Sequence, residues 1–363
     1  MSHTKEDLKE LQSKSLEEKI QISTARIIEW YEHWNGKVYI SNSGGVDSTV
    51  LSDLVHRVYP NVPDVYCDTG LEYPELREFI LSKPNVVVLK PEHKNKETKK
   101  MEHWSFPEIV KEVGYPLVSK EVSFAVSQAR KGNNWGICKM QGKKTNGDID
   151  IYGKSMMKWR FLVDADFDIN NQCCKEMKKK PVHCYEKETG RKGFVGTMAE
   201  ESTLRKTEWL KHGCNAFNGI RPLSTPLSFW TKSDVLEYLH KYNIPYASVY
   251  GDIIQVDGKY TTTGCKRTGC VFCGYGCHLE KEPNKFQTLA ETHPKLYDYC
   301  MRSGKYEDGK WVPDKGLGMA KVLDYINVKW WNDGDEARRD EYRAKYKEKE
   351  EIEQSRKKSS QTD

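Results

Sequence analysis

The stretch Lys37-Val-Tyr-Ile-Ser-Asn-Ser-Gly-Gly-Val-Asp-Ser48 restricts the fold of this chain more than any other. Residues 37–41 read as a short buried strand and 43–48 as a tight turn. From Ser48 onward, Val50, Leu51, Leu54, Val55 and Val58 recur at helical spacing. Gly44 and Gly45 can take positive φ and carry no Cβ to block a close approach. Ser43, Ser48 and the unpaired N–H groups of the first helical turn are then expected to face one concave spot. Unpaired amides and the helix dipole both favour an anion there, so the spot suits a phosphate.

The rest of the chain repeats the strand–helix alternation. Residues 65–67 read as a second strand ending at Asp68-Thr69-Gly70, 85–90 as a third, and 194–196 as another. The economical architecture is α/β, a doubly wound, mostly parallel sheet with helices on both faces, plus a Cys-rich loop and a C-terminal helical extension. Ligands of such sheets sit beyond the carboxyl ends of the strands, which puts Asp68 and Thr69 beside the glycine turn. Ser15-Leu-Glu-Glu18 is a capping box. The helix it opens carries Ile20, Ile27 and Trp34, stops near Asn35-Gly36, and is expected to pack on the sheet. Thr231 caps another helix through Asp234, and 159–177 reads as helical around Phe161, Leu162, Phe167 and Cys173-Cys174. This predicts a helical segment over 1–36, a nucleotide-binding domain over 37–260 with a polar, Gly-rich excursion near 131–158, a Cys-rich and helical region over 261–332, and a charged, disordered tail over 333–363.

Composition narrows the function classes. Charged residues make up 31% and hydrophobic residues 37%, a globular balance, and the net charge of +5 does not demand a nucleic-acid partner. No apolar segment opens the sequence and no run is long enough to span a bilayer, so a cytoplasmic protein without membrane contact is expected. Eleven cysteines then point to thiols or metal ligands, not a disulfide framework.

Ser43-Gly-Gly-Val-Asp-Ser48 resembles the pyrophosphate loop of the PP-loop ATP pyrophosphatases, a superfamily that includes the phosphoadenosine-phosphosulfate (PAPS) reductase family. It is not the GxxxxGK[ST] loop, since no Lys follows the glycines. Asp68-Thr69-Gly70, Gly114-Tyr-Pro116 with Lys120, Glu201-Ser202 with Arg205, and Arg221 to Leu239 continue the resemblance, which runs from about Lys37 to His278. It implies an adenine nucleotide alpha hydrolase-like fold. It also implies nucleotide contacts at Ser43, Gly44, Gly45, Asp47, Ser48, Asp68, Thr69, Gly70, Lys120 and Arg205. Asp47, Ser48 and Arg205 are the residues implied to act in catalysis. Met198 stands where the family usually has Arg.

Cys265, Cys270, Cys273 and Cys277 place four thiols in thirteen residues among glycines, and a pair two residues apart is a common chelating bite. Four thiolates suit zinc as well as an iron–sulfur cluster. The tandem Cys173-Cys174 and the Gly269-Cys270-Val-Phe-Cys273 segment resemble the cluster segments of adenosine-phosphosulfate (APS) reductases. That resemblance implies one 4Fe-4S cluster on Cys173, Cys174, Cys270 and Cys273. A rival set uses Cys265, Cys270, Cys273 and Cys277.

Two departures shape the expected chemistry. The C-terminal nucleophilic cysteine segment of the sulfonucleotide reductases has no counterpart in Lys357 to Asp363. The glycine loop, often degraded in those reductases, is intact. The leading expectation is an enzyme that binds ATP with Mg²⁺, releases pyrophosphate through an adenylylated intermediate, and uses the cluster in sulfur transfer. The acceptor in that reading includes nucleic acid, and a cysteine desulfurase or a reductant protein is an expected partner. The alternatives are an APS or PAPS reductase using a cysteine from elsewhere, such as Cys300 or Cys277, and a non-catalytic iron–sulfur or zinc sensor. Lysine runs at 94–100, 139–144 and 175–180 are the candidate basic rim for nucleic acid.

Overall fold

The computed structural model describes residues 3–95, 97–150, 153–344 and 346. Lys96 of the first lysine run and the charged 347–358 tract lie outside the described residues. The chain packs as two compact units, one formed by described residues of Met1–Glu92 and Lys178–Val271, the other by those of His93–Met177 and Phe272–Asp363. The nucleotide-binding domain expected over 37–260 is therefore interrupted, because 93–177 packs with the C-terminal region.

The first unit is built on a six-stranded sheet. Its helices and strands run α1 (Lys5–Ser13), α2 (Leu16–His33), β1 (Val38–Ser41), α3 (Val46–Val58), β2 (Asp64–Cys67), α4 (Pro74–Leu81) and β3 (Val86–Leu89), then α5 (Lys180–Thr189), β4 (Lys192–Val195), α6 (Thr203–His212), β5 (Asn215–Ala216), β6 (Leu223–Ser224) and α7 (Lys232–Lys241). The strand order is β3-β2-β1-β4-β6-β5. All neighbours are parallel except β5 and β6. Both faces of β1 are covered, so Val38, Tyr39 and Ile40 form a continuous buried run.

The capping box at Ser15 and Glu18 starts α2 as the spacing predicts, and Asn35 and Gly36 end it in left-handed conformation. Helix α2 packs on the sheet through fully buried Ile27 and Trp30, the latter 6.5 Å from the Phe194 ring of β4. Lys19 of α2 is 2% exposed and meets Asp234, the N3 residue of α7, at 2.7 Å. Asp234 also accepts the Thr231 N–H at 2.6 Å, so one carboxylate both caps α7 and holds α2.

The second unit is mainly helical. It contains helices Phe106–Val113, Lys120–Arg130, Asn134–Met140, Lys285–Thr292, Pro294–Met301 and Met319–Tyr325, a hairpin of Gly304–Glu307 with Lys310–Pro313, and a parallel pair of Leu117–Val118 with Gly274–Tyr275. Leu162, Phe167, Tyr297, Cys300 and Trp330 are fully buried in it.

Two expectations are corrected here. Residues 159–177 do not form one helix. A 3-10 turn covers Arg160–Asp164, and Arg130 donates to the carbonyls of Leu162, Val163, Ala165 and Phe167, holding that stretch open. The region after 333 is not disordered throughout. Residues 336–344 are helical. Tyr342 and Tyr346 are each 4% exposed. Arg343 forks onto Asp324 with two bonds of 2.8 Å. The burial of two aromatic rings overrides the charged composition. Among the described residues no helix is long and apolar enough to cross a membrane.

Candidate functional site

The topology places the site. Strand order reverses between β1 and β4, and Ser41 of β1 pairs with Val195 of β4. A ligand crevice opens at such a switch point, beyond the carboxyl ends of the strands. The glycine turn leaves β1 at that point and α3 carries the chain away from it.

Within the turn, Gly44 has φ +76°, and a Cβ there would lie 2.8 Å from the Leu76 carbonyl oxygen. Gly45 does not take the positive φ expected of it. It is extended, with φ −70° and ψ 158°, and serves as the N-cap of α3 without a side-chain cap. Its value is space, since a Cβ would sit 3.3 Å from the Tyr250 hydroxyl and 3.4 Å from Ser43 Oγ.

The amides of the turn are less open than the sequence suggests. Ser43 N–H donates to Ser48 Oγ at 3.2 Å, Gly44 N–H to Asn42 Oδ1 at 3.0 Å, and Val46 N–H to Tyr250 Oη at 3.3 Å. The first-turn amides of Asp47 and Ser48 have no capping side chain.

A cavity of about 600 Å³ lies at this switch point, and Ser43, Gly45, Asp47 and Ser48 line it. The segment after β4 supplies Gly196, Thr197, Met198, Glu200, Glu201 and Arg205. Lys232 of α7 and Tyr250, Lys266, Arg267 and Thr268 complete it. Four cations therefore surround the phosphate-type turn. Each of three has a carboxylate at hand: Lys232 Nζ is 2.9 Å from Asp47, Arg205 bonds Glu201, and Arg267 is 3.8 Å from Glu201. Burial, and then the charge of Arg267, lower the pKa of the Arg205 guanidinium from its ordinary value. Two cations this close disfavour each other's charge, so an anion between them is stabilised. Burial pushes the Tyr250 hydroxyl up to about 12, so it stays protonated as a donor.

The implied nucleotide residues divide. Ser43, Gly45, Asp47, Ser48 and Arg205 come together on this cavity. Gly44 shapes the turn from behind. Asp68, Thr69 and Gly70 do follow β2 but do not line the cavity. Asp68 takes a two-pronged bond from Arg77 at 3.0–3.2 Å, and Thr69 donates to Glu72 at 2.7 Å. Lys120 is the exposed first residue of a helix in the second unit. Met198, in the position of the family's Arg, is 1% exposed and brings an apolar thioether to the wall.

Lys232, Tyr250, Lys266, Arg267 and Thr268 were not legible as site residues. Lys232 follows a helix cap and reads as structural. Lys266 to Thr268 read as spacers between cysteines.

No disulfide joins any of the eleven cysteines. Cys173 and Cys174 open a helical turn that passes into a π-helical stretch, Lys175–Lys179. Such wide turns often mark functional positions. Cys173, Cys174 and Cys273 all lie close enough to Tyr275 to help raise its pKa, after burial itself. Cys270 belongs to the first unit and neighbours Cys67, whose thiol is pushed up to about 12, chiefly by burial. Cys277 is buried and donates to the Gly274 carbonyl at 3.1 Å. Of the rival ligand sets, each is split between the units. Among the described residues, no group of three or more His, Cys, Asp or Glu side chains is placed to hold a metal ion.

An open, mostly parallel sheet with a cation-lined cavity at its switch point defines an α/β protein whose ligand crevice lies beyond the carboxyl ends of the strands. The model of the phosphoadenosine phosphosulfate reductase domain matches residues 37–111 and 126–274. The chain belongs to that family, which is a family of enzymes. It is similar to the adenosine 5'-phosphosulfate reductase of Lysinibacillus sphaericus (strain C3-41), 24% identical over 242 residues, 66% of this chain and 77% of that protein. The reductase of the same name from Staphylococcus haemolyticus (strain JCSC1435) is 24% identical over 241 residues, 66% of this chain and 73% of that protein. The crystal structure of phosphoadenylyl-sulfate (PAPS) reductase from Candida auris in its phosphate complex aligns with a TM-score of 0.36 at 14% identity, covering 71% of this chain and 98% of that one.

Proposed function

We propose that this enzyme binds ATP at the switch-point cavity and releases pyrophosphate while an acceptor takes the adenylyl group. The observation that carries this reading is the cavity itself. An intact glycine turn and four cations line it. The β and γ phosphates would take the place of the carboxylates that now hold Arg205, Arg267 and Lys232. An oxygen nucleophile of the acceptor attacks the α-phosphorus, the bond to the bridging oxygen breaks, and pyrophosphate leaves with the electron pair. Fixed cations and amides stabilise the charge that grows on the leaving oxygen. Asp47 is committed to Lys232, so Mg²⁺ is expected to arrive on the nucleotide phosphates with its waters.

A second reading is reduction of a sulfonucleotide, and the names of the relatives favour it. It needs a thiolate at the cavity. The two cysteines considered for that role are poor candidates, since Cys300 is fully buried and Cys277 is 1% exposed. Burial raises the thiol of Cys300 far above its ordinary value and that of Cys277 to about 11.

The test compares pyrophosphate release from ATP with sulfite release from labelled APS and PAPS, in the wild-type protein and in the Gly45→Val/Ser48→Ala double variant. ATP turnover that the double variant abolishes supports the first reading. Sulfite release without pyrophosphate release replaces it with the second, and nucleotide binding with neither product leaves a sensor.

A 4Fe-4S cluster on Cys173, Cys174, Cys270 and Cys273, with zinc as the competing metal, belongs to the same proposal and serves sulfur transfer, with nucleic acid among the candidate acceptors. Its support is the resemblance carried by Cys173-Cys174 and by Gly269-Cys270-Val-Phe-Cys273. Iron and acid-labile sulfide in anaerobically purified protein, lost on Cys173→Ser, would establish it. Stoichiometric zinc, or no metal, would remove it.

A further inference from the structure

Beneath the glycine turn runs a line of buried polar side chains that does not touch the cavity. Asn42, Ser52 and Asp64 are 1%, 2% and 1% exposed. Asn42 stands between the end of β1 and the turn, and its own N–H donates to the Val65 carbonyl at 3.0 Å. Its side-chain Oδ1 accepts the Gly44 N–H at 3.0 Å, and its Nδ2 donates to Asp64 Oδ1 at 3.1 Å. The other Asp64 oxygen accepts from Ser52 Oγ at 3.0 Å.

An asparagine amide has one accepting and one donating end of nearly equal shape. Turned over, it would set its NH₂ against the Gly44 N–H and its oxygen against the Asp64 carboxylate. A backbone N–H only donates, so the orientation in which Oδ1 meets Gly44 and Nδ2 meets Asp64 satisfies both partners. No side chain fits at Gly44, since a Cβ there would lie 2.8 Å from the Leu76 carbonyl oxygen.

We propose that Asn42, oriented by Asp64, is the positioning residue of the phosphate turn. It turns the Gly44 N–H away from the ligand and so leaves the Ser43 hydroxyl and the first-turn amides of α3 to the cavity. This inference rests on the reading of the cavity as a polyphosphate seat.

Asn42→Ala and Ser52→Ala each take one hydrogen-bond donor from Asp64, but only the first releases Gly44. The pair therefore separates positioning from loss of a buried bond. Pyrophosphate binding to the full chain is measured by calorimetry, beside thermal unfolding and exchange of the Gly44 amide. Both variants are expected to unfold at lower temperature. Asn42→Ala alone should raise the dissociation constant about tenfold and speed Gly44 exchange, while Ser52→Ala should stay within about twofold of wild type. Should Asn42→Ala fail to fold, Asn42→Ser carries the same comparison, with at least about threefold weaker binding than Ser52→Ala expected. Equal dissociation constants for the Asn42 and Ser52 variants overturn the proposal and leave the cavity reading standing. Failure of wild-type protein to bind pyrophosphate at all overturns the cavity reading itself.

Discussion

Lys232 Nζ lies 2.9 Å from Asp47 Oδ1, joining two residues 185 positions apart beside the glycine turn. Both side chains are about a third exposed, so the pair by itself adds little stability. In the proposed reading it keeps a cation beside the turn for an incoming phosphate. Lys232→Met is therefore expected to weaken nucleotide binding at least about tenfold with a shift in unfolding temperature of a degree or two at most. Titration calorimetry with ATP and a thermal melt check both halves. Unchanged affinity would reduce Lys232 to a partner of Asp47.

Arg205 is placed by Glu201, one helical turn away, and by the Ser202 cap of α6. A guanidinium can grip two phosphate oxygens at once and an ammonium cannot. Arg205→Lys should therefore lose about tenfold or more in affinity for pyrophosphate although the charge is kept. Recovery of full affinity in the lysine variant would show that only charge matters at this position.

The cysteines should differ sharply in reactivity. Cys184 is exposed, whereas Cys300 is fully buried and its thiol is held protonated by that burial. Brief treatment of native protein with iodoacetamide should label Cys184 and spare Cys300, as read by peptide mass spectrometry. Cys300→Ala should leave turnover unchanged, and a loss of turnover without loss of folding would return Cys300 to the list of nucleophiles.

Lys19 and Asp234 form a buried ion pair in the first unit, with side chains 2% and 14% exposed. Removing one member leaves the other charge without its partner, which costs about 3–5 kcal/mol. Lys19→Met should lower the free energy of unfolding by roughly that amount in a urea titration. It should not alter nucleotide affinity once the protein is folded, because neither residue lines the cavity.

Tyr250 gives a pH signature. Its folded pKa of about 12 stands above the ordinary 10, chiefly through burial. The stability it contributes is fully present below pH 10 and is lost as pH rises toward 12. Tyr250→Phe should show a shallower decline in unfolding temperature over that window than wild type. Parallel declines would mean that the hydroxyl is not buried in solution.

The strands of the central sheet and the glycine turn are written in local residue patterns. Alternating strand and helix patterns, the Ser15 and Thr231 caps, and the Ser43–Ser48 motif are local signals, because a hydrophobic period or a cap involves residues within a few positions. Ser43 and Ser48 were legible as candidate site residues from the turn itself, whereas Asp47 and Arg205 entered through the family resemblance. The neighbours of these residues come from packing. Lys232, Tyr250 and Arg267 reach the turn through the packing of α7 and the loop beyond it, contacts separated by about two hundred positions that no periodicity records. Likewise, the conformation of Gly45, the Asp68–Arg77 pairing and the burial of Tyr342 and Tyr346 follow from which groups meet in space. Local sequence encodes backbone preference, whereas hydrogen-bond satisfaction and burial are settled only when distant segments are packed together.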